Sequence, residues 1–345
     1  MLSSMLSFYL IPFFAAIFLA INMGGSGTAP SFSPAYGSNV INKRLMPILF
    51  GLFVFLGALL AGKKVMLTVS NDVLPASVMG ITLTTILLLA VSLSLLIANL
   101  LNIPQSTSQS TVFALVAPAL YFNMLQKDKL LYEIIPAWFI LPVIAFFVTL
   151  FIGKCIHKPL RKKLPERLDK IANHFSLKIF IISACCYVAF AIGSNNVANA
   201  SGPISSMISN KLHIPMQSSD FLLIMILTTL IIAPCFGFGS LIFGQKVAHT
   251  TGKDIVVFGP LGASLIAIVT ATLLLLASIT KGIPTSLVQV NVAATIALGI
   301  CKEGWKKMAN LTSIKKLLTV WIIAPIVAFC IAFVLTFGAD KMGLL

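Results

Sequence analysis

Residues 138–146 read Trp138-Phe139-Ile140-Leu141-Pro142-Val143-Ile144-Ala145-Phe146, and residues 321–329 read Trp321-Ile322-Ile323-Ala324-Pro325-Ile326-Val327-Ala328-Phe329. Each stretch is uncharged and lies inside a longer apolar run, 136–153 and 317–337. Such runs approach the ~20 residues that a helix needs to cross a hydrocarbon layer. They are continuous rather than alternating, which excludes the strands of a transmembrane barrel and leaves helices. Trp, Pro and Phe recur at the same spacing 183 residues apart, so the unit is present twice.

Three more matches fall in the same order. Ile103-Pro-Gln-Ser-Thr-Ser-Gln109 recurs as Ile283-Pro-Thr-Ser-Leu-Val-Gln289, offset 180; Gly62-Lys-Lys-Val65 as Gly244-Gln-Lys-Val247, offset 182; and Met23-Gly-Gly-Ser-Gly27 more weakly as Ile192-Gly-Ser-Asn-Asn196, offset 169. Long apolar segments lie near 6–22, 45–62, 78–101, 136–153, 177–193, 220–244, 260–281 and 317–337, with two shorter Pro-led segments at 104–123 and 284–301. The first span has no basic residues ahead of it and has a counterpart later in the chain, so it is read as a span and not as a signal peptide. The expected architecture is all-α and polytopic, with about ten crossings in two inverted repeats containing helical hairpins and broken helices. The first transmembrane repeat is 1–153, the basic cytoplasmic linker 154–176, and the second, inverted repeat 177–345.

Composition agrees with a lipid environment: of 345 residues 58% are hydrophobic and 10% charged, and the mean hydropathy is +1.03. The net charge of +15 is no nucleic-acid signature, because the basic residues sit in short loops between spans. With the linker inside, 17 of the 24 Lys and Arg fall on the inner side, as the positive-inside rule requires of an inner-membrane protein. Parallel halves of four crossings each would put Lys302–Lys316 opposite the linker and split the two most basic loops. The six cysteines form no C-x-x-C pair and read as packing residues.

Two kinds of element can carry chemistry. The Pro-led segments place Ser106, Thr107, Ser108 and Gln109, and Thr285, Ser286 and Gln289, at helix starts. A helix start offers free N–H groups and the positive end of the dipole, and hydroxyls beside it complete an anion site without any basic residue. Ordinary N-capping explains one or two of these hydroxyls, not six consecutive polar residues from Ser106 to Thr111. The Gly/Ser/Asn-rich stretches 23–42 and 193–210 are expected to end their helices. Asn22, Ser26, Asn195, Asn196 and Asn199 there are candidates for a cation site or for lining the pocket. All nine acidic residues and the four His lie in loops or at span edges, so no protein proton carrier sits mid-span. No nucleophile–base pair, metal cluster or Walker loop is present, so the chain is not read as an enzyme and no resident cofactor or metal is expected.

The segment Gly193-Ser-Asn-Asn-Val-Ala-Asn-Ala-Ser-Gly-Pro203 resembles the repeated Gly-Ala-Asn-Asp-Val-Ala-Asn-Ala-x-Gly-Pro signature of the inorganic phosphate transporter (PiT) family. Pro104–Gln109 is similar to that family's Pro-x-Ser-Thr-Thr-His hairpin. Gly24-Gly-Ser-Gly27, Ala35-Tyr-Gly-Ser38, Ile97-Ala-Asn-Leu-Leu-Asn-Ile-Pro104 and Gln289 resemble the bacterial sulfate permease branch. The resemblance implies cation-coupled oxyanion symport, with hairpin Ser and Thr on the anion and signature Asn or Asp on a cation. The signature Asp is Asn196 here and Gly27 in the first copy, and the hairpin His is Gln109.

Sulfate only accepts hydrogen bonds, whereas hydrogen phosphate also needs an acceptor, so an acid-free pocket favours sulfate slightly. The expectation is therefore a symporter or permease of sulfate or phosphate, working by alternating access, with a co-transported proton or sodium ion. A homodimer in the lipid bilayer is compatible with the sequence. A phosphate symporter, a passive channel and a non-transporting membrane partner subunit are the alternatives.

Overall fold

The structure is a computed structural model that describes residues 2–37, 40–100, 105–157, 175–244, 259–309 and 312–345. Pro104, most of the linker 154–176 and nearly all of loop 245–259 lie outside the described residues. The principal helices are α1 (Leu2–Gly37), α2 (Leu45–Ala61), α3 (Lys63–Asn71), α4 (Ile81–Leu100), α5 (Thr107–Tyr121), α6 (Ile135–Ile152), α7 (Phe175–Asn196), α8 (Ala198–Leu212), α9 (Ser219–Gly239), α10 (Gly259–Thr280), α11 (Leu287–Glu303) and α12 (Thr312–Lys341). No strand occurs among the described residues.

Each of the eight long apolar segments is matched by a helix. Among the described residues, seven helices are long and apolar enough to cross a membrane, and α2 with α3, bent by 75° at Gly62, makes an eighth when the pair is taken as one span. The Pro-led helices α5 and α11 have 15 and 17 residues, about 22 and 25 Å at 1.5 Å per residue. Each is shorter than a full crossing.

The halves interlock. In each half the first helix packs on the helix before the hairpin (α1 on α4, α7 on α10), and that helix packs on the hairpin helix (α4 on α5, α10 on α11). The hairpin helix then packs across onto the other half: α5 lies on α12, and α11 on α6. Four glycines mark a second reciprocal exchange. A Cβ on Gly24 would overlap the carbonyl of Phe236, and one on Gly239 the carbonyl of Ile21, where α1 crosses α9. A Cβ on Gly193 would overlap the carbonyl of Val54, and one on Gly57 the carbonyl of Phe190, where α7 crosses α2. These equivalents are separated by 169 and 182 residues, the offsets of the sequence repeat.

This corrects one expectation about the glycine-rich stretches. Neither helix stops at Gly24 or Gly193: α1 ends at Gly37 and α7 at Asn196. Helix α1 runs through Gly24, Gly25 and Gly27, and α7 passes into α8 through Val197 alone, whose φ −60° and ψ −34° remain helical. Glycine appears here because two backbones touch, the usual reason for small residues between membrane helices. The chain turns at Val197 without losing its bonding there, since Ala200 N and Ser201 N both donate to Val197 O. The sharp break falls at Gly62 instead.

Side-chain contacts sort the loops to two ends. Lys64 Nζ donates to Thr280 O (2.9 Å), Lys129 Nζ donates to Lys281 O (2.9 Å), and Glu133 pairs with Lys129 and Lys281 at 3.2 and 3.6 Å. At that end Gln126 N also donates to Val73 O. At the other, Gly153 packs on Cys301, whose thiol donates to Leu150 O.

Candidate functional site

Helices α5 and α11 begin in the same way. Ser106 and Ser286 are extended N-caps whose Oγ atoms accept from Gln109 N and Gln289 N, each at 3.3 Å. Both segments read Ser-x-x-Gln, which in a capping box returns the Gln side chain to the Ser N–H. Here the amides turn to one another. Gln109 Nε2 donates to Gln289 Oε1 (3.1 Å), and Gln289 Nε2 donates to Gln109 Oε1 (3.2 Å). The two starts therefore meet head to head, and both caps are almost wholly buried, at 3% and 2% exposure. From the meeting point α5 runs to Tyr121, which donates to Asp340, and α11 runs to the end marked by Gly153.

The first helical N–H groups, those of Thr107, Ser108, Leu287 and Val288, have no carbonyl within their own helices. The Ser106 and Ser286 hydroxyls accept a bond and keep their protons. Ser108 and Thr285, read as anion contacts, differ: Ser108 Oγ donates to Asn195 Oδ1 (3.3 Å) and accepts from Asn199 Nδ2 (3.1 Å), and Thr285 Oγ1 donates to Ile283 O (3.0 Å). Their protons are already committed to the protein.

Asn195 is the brace of this region. Its Nδ2 donates to Ser278 Oγ and Ile283 O, both at 2.9 Å, and its Oδ1 accepts from Thr285 N (3.0 Å) as well as from Ser108. A carboxamide so engaged positions chain and has little left for a cation. Asn196 and Asn199 each keep a buried Oδ1 without a hydrogen-bond donor, as does Gln105 Oε1. Asn22 and Ser26 turn back on their own helix, to Phe18 O (2.9 Å) and Met23 O (3.1 Å).

The sequence reading missed Gln105, whose Nε2 donates to Ser94 Oγ and Ser110 Oγ at 3.1 and 3.0 Å, and missed Ser278. The 180-residue offset maps Gln105 onto Thr285 and would have exposed the first of these.

The candidate site is therefore buried, uncharged and set between opposed helix starts in an apolar helical bundle. Residues 23–332 match the phosphate transporter family, and the chain belongs to that family. It is 32% identical over 321 residues, 93% of this chain and 85% of the relative, to the sulfate permease CysP of Bacillus subtilis (strain 168). It is 24% identical over 396 residues, 91% of this chain and 94% of the relative, to the putative phosphate permease TK2061 of Thermococcus kodakarensis. The fold matches a solved structure described as the sodium-dependent phosphate transporter, with TM-score 0.80 at 22% identity, covering 97% of this chain and 99% of that one.

Proposed function

We propose that the protein is a secondary active transporter that carries an inorganic oxyanion, sulfate ahead of phosphate, through a multi-pass bundle in the cell membrane by alternating access. The observation that carries this reading is the head-to-head meeting of two Ser-capped helix starts through Gln109 and Gln289. A tetrahedral dianion there would accept from the Ser106 and Ser286 hydroxyls and from the N–H groups at the first turn of each helix. Thr107 and the outward N–H groups of the two glutamines complete the donor set. These donors suit an ion that only accepts, and the similarity to a sulfate permease favours the same choice.

The two halves, 1–153 and 177–345, are inverted repeats in this reading, joined by the cytoplasmic linker 154–176. The contact of Gly153 with Cys301 supports it, because it puts the start of the linker and the start of the Lys302–Lys316 loop at one end. The unpartnered Asn196 and Asn199 oxygens are the places for a coupling cation, sodium or proton-bearing water. They also support the second reading, since the same oxygens can accept the proton of hydrogen phosphate.

Purified protein in proteoliposomes decides between these readings. Labelled sulfate and phosphate are supplied together under separately imposed proton and sodium gradients. The expected result is saturable sulfate accumulation above equilibrium, driven by one gradient. Phosphate outcompeting sulfate at equal concentration reverses the substrate order. Uptake that never exceeds equilibrium identifies a channel, and no uptake of either anion identifies a partner subunit.

A further inference from the structure

The start of α11 is held by both halves, by Trp138 of the first and Asn195 of the second. Trp138 of α6 donates its indole N–H to Pro284 O at 2.9 Å, and Thr285 N–H donates to Asn195 Oδ1 at 3.0 Å. Pro284 O and Thr285 N belong to one peptide group, so that plane is gripped at both edges. Ser286, the N-cap, is the next residue. The Trp138 ring also stacks on Phe113 of α5, with centroids 6.1 Å apart and planes 24° from parallel. Phe113 stands one turn beyond Gln109 on the same helix face. One side chain thus touches both helix starts, by a hydrogen bond on one and by ring contact on the other.

The repeat counterpart, Trp321, has a buried Nε1 with no acceptor among the described residues, which do not include Pro104, the equivalent of Pro284; the position equivalent to Phe113 is Ala293. The duplicated Trp marks the repeat in both halves, but the stacking partner is present in only one.

We infer that Trp138 is a positioning residue of the oxyanion site: it fixes the 284–285 peptide and thereby aims the Ser286 hydroxyl and the first N–H groups of α11 at the anion. This rests on the reading above of where the anion sits. Trp138→Phe keeps an aromatic ring against Phe113 and removes the donor together with the pyrrole part of the indole, leaving a buried carbonyl without that partner, a loss on the order of a tenfold change in an equilibrium.

The test has two arms in the full-length protein. In proteoliposomes, Trp138→Phe is expected to raise the KM for sulfate about tenfold with Vmax held within about twofold. Trp305→Phe, at an exposed position, should match the unsubstituted protein. In detergent, a Trp305→Phe/Trp321→Phe variant leaves Trp138 as the single indole, since the chain has three tryptophans. Its fluorescence should change saturably on titration with sulfate or phosphate. An uptake curve for Trp138→Phe that overlays the unsubstituted one, or a lone Trp138 that is silent while the anion demonstrably binds, overturns the inference. If Ser106→Ala and Ser286→Ala leave uptake intact while Trp138→Phe impairs it, the site assignment fails and the anion contacts Trp138's neighbours elsewhere. Absence of binding of both anions to the unsubstituted protein overturns both.

Discussion

Residue 195 and its repeat equivalent, residue 26, occupy the same place in two copies of one unit and behave differently. Asn195 ties α7 to Ser278, Ile283, Thr285 and Ser108, elements of both halves. Ser26 donates to Met23 O of its own helix and braces nothing beyond it. The neighbouring glycines show no such divergence. Gly24 and Gly193 touch equivalent carbonyls, as do Gly57 and Gly239. Close packing has kept its twofold pattern while the polar brace survives in one copy only. The difference is physical: a backbone contact leaves no room for any side chain, whereas a hydrogen-bonding position tolerates loss if the remaining copy still holds the site.

The comparison breaks most visibly at the glycines. Gly24→Val and Gly193→Val should each cost about 3 kcal/mol or more, because the intruding atoms meet backbone and not a side chain that can rotate. Loss of folded material in size-exclusion profiles should be alike for both. A well-folded Gly193→Val variant would show that the crossing of α7 and α2 is looser than described.

At the brace the two copies should part. Asn195→Ala strands a buried N–H on Thr285 and takes one of two donors from Ile283 O, which keeps the Thr285 hydroxyl, together roughly 2 kcal/mol, so sulfate uptake should fall about 30-fold. Ser26→Ala removes an intrahelical bond only and should leave the rate within about twofold. Equal losses in the two variants would mean that the first copy retains a polar role. Between these extremes, Ser106→Ala and Ser286→Ala each remove a cap and one of the proposed anion donors, at about 1 kcal/mol or more. Each should raise the KM for sulfate about tenfold, and by similar factors, because these two caps have stayed equivalent. The smallest effect belongs to Asn22→Ala, whose amide is satisfied by Phe18 O and which should change KM by less than about twofold.

Much of this could be read in the residues. Eight apolar runs gave eight helices because continuous apolar stretches of that length have few alternatives in lipid. The hairpins were legible from Pro-led, hydroxyl-rich starts, and the 180-residue offset already paired Gln109 with Gln289. What the sequence could not show is direction. A Ser-x-x-Gln box normally closes on itself, and nothing local says that both glutamines reach across instead. The commitment of the Ser108 and Thr285 protons to Asn195 and Ile283 is likewise a matter of three dimensions. The glycine-rich stretches misled for a definite reason: glycine weakens an isolated helix but permits close contact in a bundle, and the two roles look alike in one dimension.

The central claim is that one tetrahedral anion lies between the two caps. Crystals of the protein grown with selenate, an anomalous scatterer of sulfate's shape and charge, test it most directly. The account predicts an anomalous peak within hydrogen-bond distance of both Ser106 Oγ and Ser286 Oγ. A selenate peak elsewhere in the bundle, in protein that transports selenate, would contradict it.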